Sequence, residues 1–139
     1  MRIFYDTNIV LDLYSQERIF EPLARRIVNY AHKNHFPEYI CVLSVANANY
    51  VLKKKYGAKE SDRLITEIFD SFNILPLNDM SVYQAVRSKS PDLEDALQIS
   101  SAEFGDCDVI ITRDPKHFRG FTYLQVYTPE EFLQKISAS

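Results

Sequence analysis

Glycine is scarce in this chain, at three of 139 residues, tryptophan is absent, and cysteine occurs twice. So little glycine beside 46% hydrophobic and 13% aromatic residues excludes a linker-like or disordered polypeptide, because that much apolar material offsets the entropy of ordering a chain. The two cysteines have no metal-type spacing, Cys41 lying in Ile40-Cys41-Val42 and Cys107 in Asp106-Cys107-Asp108-Val109. They are expected to be buried thiols in a reducing compartment, and a disulfide or a zinc site is not expected. No apolar run approaches the roughly 18 to 20 residues of a membrane span, and Met1 to Asp6 lack the apolar stretch and cleavage site of a secretory signal. A soluble, cytoplasmic protein with no membrane partner is expected. The net charge of −3 also lacks the overall basic character of a non-specific nucleic-acid binder. Basic residues cluster locally instead, at Lys53-Lys54-Lys55 and at Arg113, Lys116, His117 and Arg119.

What is present suffices for one continuous core, and residues 1–139 are expected to form a single domain. Arg2 to Tyr5 reads as a short strand running into Asp6-Thr7-Asn8, followed by a helical segment with Ile9, Val10, Leu11 and Leu13. Between Glu21 and Lys33, Leu23, Ile27, Val28, Tyr30 and Ala31 recur near helical spacing. Tyr39 to Leu43 is an unbroken apolar run of strand length, with Ser44 as the expected cap of a helix over 45–56. Gly57 should end that helix and Ser61 or Asp62 open the next, with Leu64, Ile65, Ile68, Phe69 and Phe72 as its apolar face. Asn73 to Leu77 reads as a strand, Asp79 as the cap of a short helix through Val86, and Ser90-Pro91-Asp92 as the opening of a helix reaching about Phe104. Asp108 to Thr112 and Tyr123 to Val126 complete the strands. Thr128-Pro129-Glu130-Glu131 has the pattern of a capped helix start, for a helix ending near Ile136. Short apolar strands alternating with helices predict a three-layer α/β/α sandwich around a mainly parallel sheet.

Ligands of such sheets collect beyond the carboxyl ends of the strands, and acids stand there. Asp6 follows the first strand, Asp114 follows Val109-Ile110-Ile111-Thr112, and Asn47 falls in the first turn after the second strand. Asp92 and Asp95, spaced i and i+3 at a helix start, share one helix face. Each has a plainer reading: Asp6 and Asp92 as helix caps, Asp114 before Pro115 as a turn residue. Asp95, among Leu93, Ala96, Leu97 and Ile99, is harder to explain without a partner, since acids are rarely buried alone. Carboxylates gathered at one sheet edge repel unless a cation offsets them. Oxygen ligands suit Mg²⁺ or Mn²⁺, and such a cation favours phosphodiester hydrolysis.

Phe4-Tyr5-Asp6-Thr7-Asn8-Ile9-Val10-Leu11-Asp12 resembles the opening of PIN domains, metal-dependent ribonucleases that include the VapC-like toxins of toxin-antitoxin pairs. Asp92-Leu93-Glu94-Asp95-Ala96-Leu97-Gln98 is similar to that family's central acidic helix, and Val109-Ile110-Ile111-Thr112-Arg113-Asp114 to its last acidic turn. The resemblance implies Asp6, Asp95 and Asp114 as metal-site acids, with Asp92 as an outer ligand or water-positioning group. It implies Asn8 and Thr112 as orienting groups for carboxylates or substrate, and Arg113, Lys116 and His117 as holders of neighbouring phosphates. The implied reaction is endonucleolytic hydrolysis of RNA. The implied partners are RNA and an antitoxin protein, and a homodimer is left open.

The sequence departs from the family in one place. Where a Glu is usual in the helix after the second strand, it has Asn47, which keeps an oxygen but adds no charge, so weaker cation binding is expected. Asn47 also reads as a helix N3 residue pairing back to Ser44, and Asp12 as a distant source of the missing charge. Two other functions compete: a catalytically weakened module binding RNA or a protein partner, and a phosphoacceptor domain. The second lacks an Asp two residues after Asp6 and a mid-sheet Asp with a late Lys.

Overall fold

The computed structural model describes residues 1–15 and 19–138. Its strands are β1 (Ile3–Tyr5), β2 (Glu38–Cys41), β3 (Asn73–Leu75), β4 (Val109–Ile111) and β5 (Gln125–Tyr127). They form one sheet in the order β3-β2-β1-β4-β5, and every adjacent pair is parallel. The described helices are α1 (Thr7–Tyr14), α2 (Glu21–Lys33), α3 (Val42–Tyr56), α4 (Ala58–Ser71), α5 (Asp79–Arg87), α6 (Leu93–Phe104) and α7 (Pro129–Ser137), with a 3₁₀ turn at Pro115–His117.

Strand alternation divides the core between two faces. Ile3, Tyr5, Ile40, Val109 and Ile111 pack with apolar residues of α1, α2, α3, α4 and α7. Phe4, Tyr39, Cys41 and Ile110 point the other way, onto Ile99 and Ala102 of α6 and onto Phe118, and α5 lies against α6. Because side chains along a strand alternate in direction, strands apolar at every position need cover on both sides. The result is the expected α/β/α sandwich. Cys41 and Cys107 are buried and free. Among the described residues no helix is long and apolar enough to cross a membrane.

Several boundaries differ from the sequence expectation. β2 stops at Cys41 and α3 begins at Val42, because Cys41 takes the cap position, its Sγ accepting from the Leu43 N–H at 3.4 Å. Ser44 is therefore inside the helix, buried, and shares a 2.6 Å hydrogen bond with the Thr7 hydroxyl. α4 starts at once after Gly57, whose φ of +86° suits a residue without Cβ. Ser61 thus falls within α4, and its hydroxyl donates to Asn49 Oδ1 at 3.2 Å. Asn78, not Asp79, caps α5, in a reciprocal pairing with Ser81. Phe69, expected on the apolar face of α4, is exposed. Thr128 and Glu131 form the expected capping box of α7.

The sheet order positions the site. The chain passes from β1 through β2 to β3 on one side, then returns to place β4 and β5 on the other. Connections leaving β1 and β4 diverge, and the crevice at such a reversal is where open parallel sheets bind ligands.

Candidate metal centre

Asp6 leaves β1 at this crevice. It occupies the cap position of α1 but makes no side-chain cap bond. Its oxygens are instead held from two other elements: Gln98 Nε2 on α6 donates to Oδ1 at 2.9 Å, and Thr112 Oγ1 after β4 donates to Oδ2 at 2.8 Å. Gln98 Oε1 accepts the Thr7 N–H at 3.1 Å, which fixes the orientation of its amide. Thr112 Oγ1 also accepts the Asp114 N–H at 3.1 Å, so one hydroxyl orients both Asp6 and the loop carrying Asp114. Burial raises the Asp6 carboxyl above its ordinary value, and Thr112, Gln98, the Thr7 N–H and Arg113 oppose that rise.

Asp92 caps α6, with Oδ1 accepting the Asp95 N–H at 2.9 Å. The capping reading of Asp92 is thus real, and the residue still faces the same cavity as the other acids. Asp95 Oδ2 stands 3.0 Å from His117 Nδ1, and Asp114 Oδ2 stands 3.4 Å from the same nitrogen. Ligand atoms of Asp92, Asp95 and His117 all lie within 4.8 Å of one another. Burial first, then the charges of Asp6 and Asp92, push the Asp95 carboxyl up to about 6, with His117 working against them. The Asp114 carboxyl caps nothing in the 3₁₀ turn that follows it.

These groups share one cavity of about 410 Å³, lined by Asp6, Asn8, Asn47, Asp92, Glu94, Asp95, Asp114 and His117, with Leu11, Tyr50 and Val51 adding apolar surface. A larger hollow of about 490 Å³ between α1, α2 and α4 carries Glu21, Arg25, Arg63 and Glu67. There the charges pair with one another, Arg25 with Glu21 at 3.4 Å and Arg63 with Glu67 at 2.9 Å. It lacks the one-signed convergence of the acidic cavity.

The remaining predicted residues fall in different places. Asn47 lies in the second turn of α3 and does not pair back to Ser44; its Nδ2 donates to Glu94 Oε1 at 2.7 Å. Arg113 points to α1, where Nε and Nη2 reach the two oxygens of fully buried Asp12 at 2.9 and 3.4 Å, and its guanidinium lies 4.3 Å from the Phe20 ring centroid. That pairing also engages Asp12, so Asp12 is not in the cavity with the other acids. His117 is drawn in among the acids, and Lys116 and Asn8 are exposed. Neither Gln98 nor Glu94 has a role by sequence motif alone. Gln98 was detectable in principle, since it lies three residues after Asp95 on the same helix face and is 1% exposed; Glu94 gave no such signal.

A model of the PIN domain family matches residues 2–116. The chain belongs to the PIN domain family. This PIN domain is similar to ribonuclease VapC1 of Aquifex aeolicus (strain VF5), with 24% identity over 139 residues, covering 96% of this chain and 94% of that protein. Its fold is shared with VapBC2 from Rickettsia felis bound to a DNA fragment from their promoter, at a TM-score of 0.73 and 14% identity over 92% of this chain and 98% of the other. It is shared also with VapC20 of Mycobacterium tuberculosis, a sarcin-ricin loop cleaving toxin, at a TM-score of 0.67 and 14% identity over 83% and 92%. The donor set of the PIN domain fits a divalent cation: carboxylates converge from the end of β1, the start of α6 and the turn after β4, and two of them are pushed toward the protonated form although Arg113 and His117 partly oppose the rise.

Proposed function

We propose that this PIN domain is a divalent-metal-dependent endoribonuclease, using Mg²⁺ or Mn²⁺, and that it is the toxin of a toxin-antitoxin pair. The observation that carries the reading is the convergence of Asp6, Asp92, Asp95 and Asp114 on one cavity at the sheet reversal, in a chain of a family with ribonuclease relatives. The toxin role is supported by the fold shared with VapBC and VapC20.

Asp6, Asp95 and Asp114 would hold the cation, which when bound lowers the pKa of a coordinated water and offsets charge on a phosphate under attack. Gln98 and Thr112 keep Asp6 in a fixed orientation, which avoids rearrangement when substrate arrives. Asp92 ties the start of α6 so that Asp95 faces the cavity. Lys116, exposed and in sequence between Asp114 and His117, is available to contact a flanking phosphate, a role Arg113 gives up to Asp12. Tyr50 is 69% exposed on the cavity wall and offers a flat face to an unpaired base, as single-stranded RNA sites commonly do.

The test is cleavage of an internally labelled single-stranded RNA. Internal cuts should require Mg²⁺ or Mn²⁺, stop on chelation and return with excess cation. Asp95→Asn should slow them by about 100-fold or more, as expected when several kcal/mol of charge stabilisation is lost. Cleavage that persists in chelator overturns the reading. Asn47, standing where the family has Glu, favours a second reading, a module that binds RNA or protein without cutting. RNA bound but uncut at saturating Mn²⁺ would select it.

A further inference from the structure

Asn47 and Glu94 come from different helices and meet in the acidic cavity. Glu94 is the second residue of α6, directly before Asp95. Neighbouring residues of a helix point roughly 100° apart, so a carboxylate there has no intrinsic reason to turn toward the face that carries Asp95. The 2.7 Å hydrogen bond from Asn47 Nδ2 to Glu94 Oε1 supplies that reason. We infer that Glu94 is a fourth metal-holding carboxylate, beside Asp6, Asp95 and Asp114, and Asn47 its positioning residue, so that the charge missing from α3 is provided by α6. The inference rests on the metal-dependent reading above.

A plain tie between α3 and α6 is the competing account, and the surroundings argue against it. Glu94 lines the same cavity as Asp6, Asp92 and Asp95. A tie built for stability would not add a like charge to an acidic pocket, since neighbouring carboxylates repel unless a cation offsets them. Asn47 engages only one of the two carboxylate oxygens, and a carboxylate retains acceptor capacity on the other. An amide suits this position, because it donates to Glu94 without adding charge of its own.

Calorimetric titration of the full chain with Mn²⁺ tests this. Glu94→Gln should weaken Mn²⁺ binding by at least about tenfold, the lower range seen when groups supporting a metal site are removed. The exchanged pair, Asn47→Glu with Glu94→Gln, keeps an amide facing a carboxylate and should recover affinity to within about threefold of the parent. Metal-free melting temperature reports folding, and Glu94→Gln should leave it unchanged or raised. A tie without metal function predicts unchanged affinity in Glu94→Gln, and that result overturns the inference, as does an exchanged pair that stays as weak as Glu94→Gln. Asp6→Asn separates the two levels of the account. If the parent binds Mn²⁺ and Asp6→Asn does not, while Glu94→Gln matches the parent, only the Glu94 assignment fails. If the parent binds no Mn²⁺, the metal-dependent reading falls and takes this one with it.

Discussion

Asp95 shows how the site trades stability for charge. Its carboxyl titrates at about 6 in the fold against an ordinary 3.8, so the native state binds a proton more tightly than the unfolded chain. Stability from this group is fully present below about pH 4 and is lost as pH rises through 6. Metal-free protein should therefore be less stable at pH 7 than at pH 5, by about 1 kcal/mol or less once solvent screening is discounted, and melt at a correspondingly lower temperature. Burial also raises Asp6, Glu94 and Glu38, so Asp95→Asn should flatten the slope without abolishing it. Thermal melts of both proteins from pH 5 to 7 check this, and identical slopes would contradict it. At the same scale, some of the site was unreadable in the sequence. Arg113 stands one residue before Asp114, which suggested a phosphate clamp, but its partner Asp12 is 101 residues away. A buried acid takes the cation that tertiary structure brings to it, and no local pattern announces that pairing. Glu94 was hidden for a related reason, because its direction depends on an amide 47 residues distant.

At the scale of elements, α6 carries the largest share of the site. Asp92, Asp95 and Gln98 follow one another at intervals of three, the two acids on the cavity and Gln98 buried against Asp6, and that spacing is visible in the sequence for the two acids. Asp92 combines a capping role with a place in the acidic cavity, and substitution separates the two. Asn is as good a cap as Asp, so Asp92→Asn should keep the stability of the metal-free protein while weakening cation binding. Asp92→Ala should lose about 1 kcal/mol as well. Chemical denaturation alongside metal titration distinguishes them, and equal stability of the two variants would remove the cap from the account. The start of α3 was misplaced because Ser44 is the better cap by residue type, yet that hydroxyl is engaged by Thr7, beside Asp6. Helix α3 consequently begins three residues earlier than expected, and Asn47 moves from the first turn to the second, where it reaches α6.

At the scale of the whole molecule, alternating apolar strands and amphipathic helices made the layered parallel architecture legible. Strand order was not legible, because pairing partners are chosen by the packing of helices on both faces. That order is what brings the ends of β1 and β4 together, with Asp6 N–H bonded to Ile111 O at 3.0 Å, and sets α6 across them. The central claim is that this convergence forms a cation site. Mn²⁺ titration of the parent and of Asp6→Asn, at pH 7.5 and 5.5, tests it most directly. Cation and proton compete for carboxylates whose proton affinity is raised, Asp95 to about 6, so the parent should bind Mn²⁺ at pH 7.5, release protons as it does so, and bind more weakly at pH 5.5. Asp6→Asn should lose most of the affinity. Equal Mn²⁺ affinity in the two proteins, or affinity independent of pH, would contradict the claim.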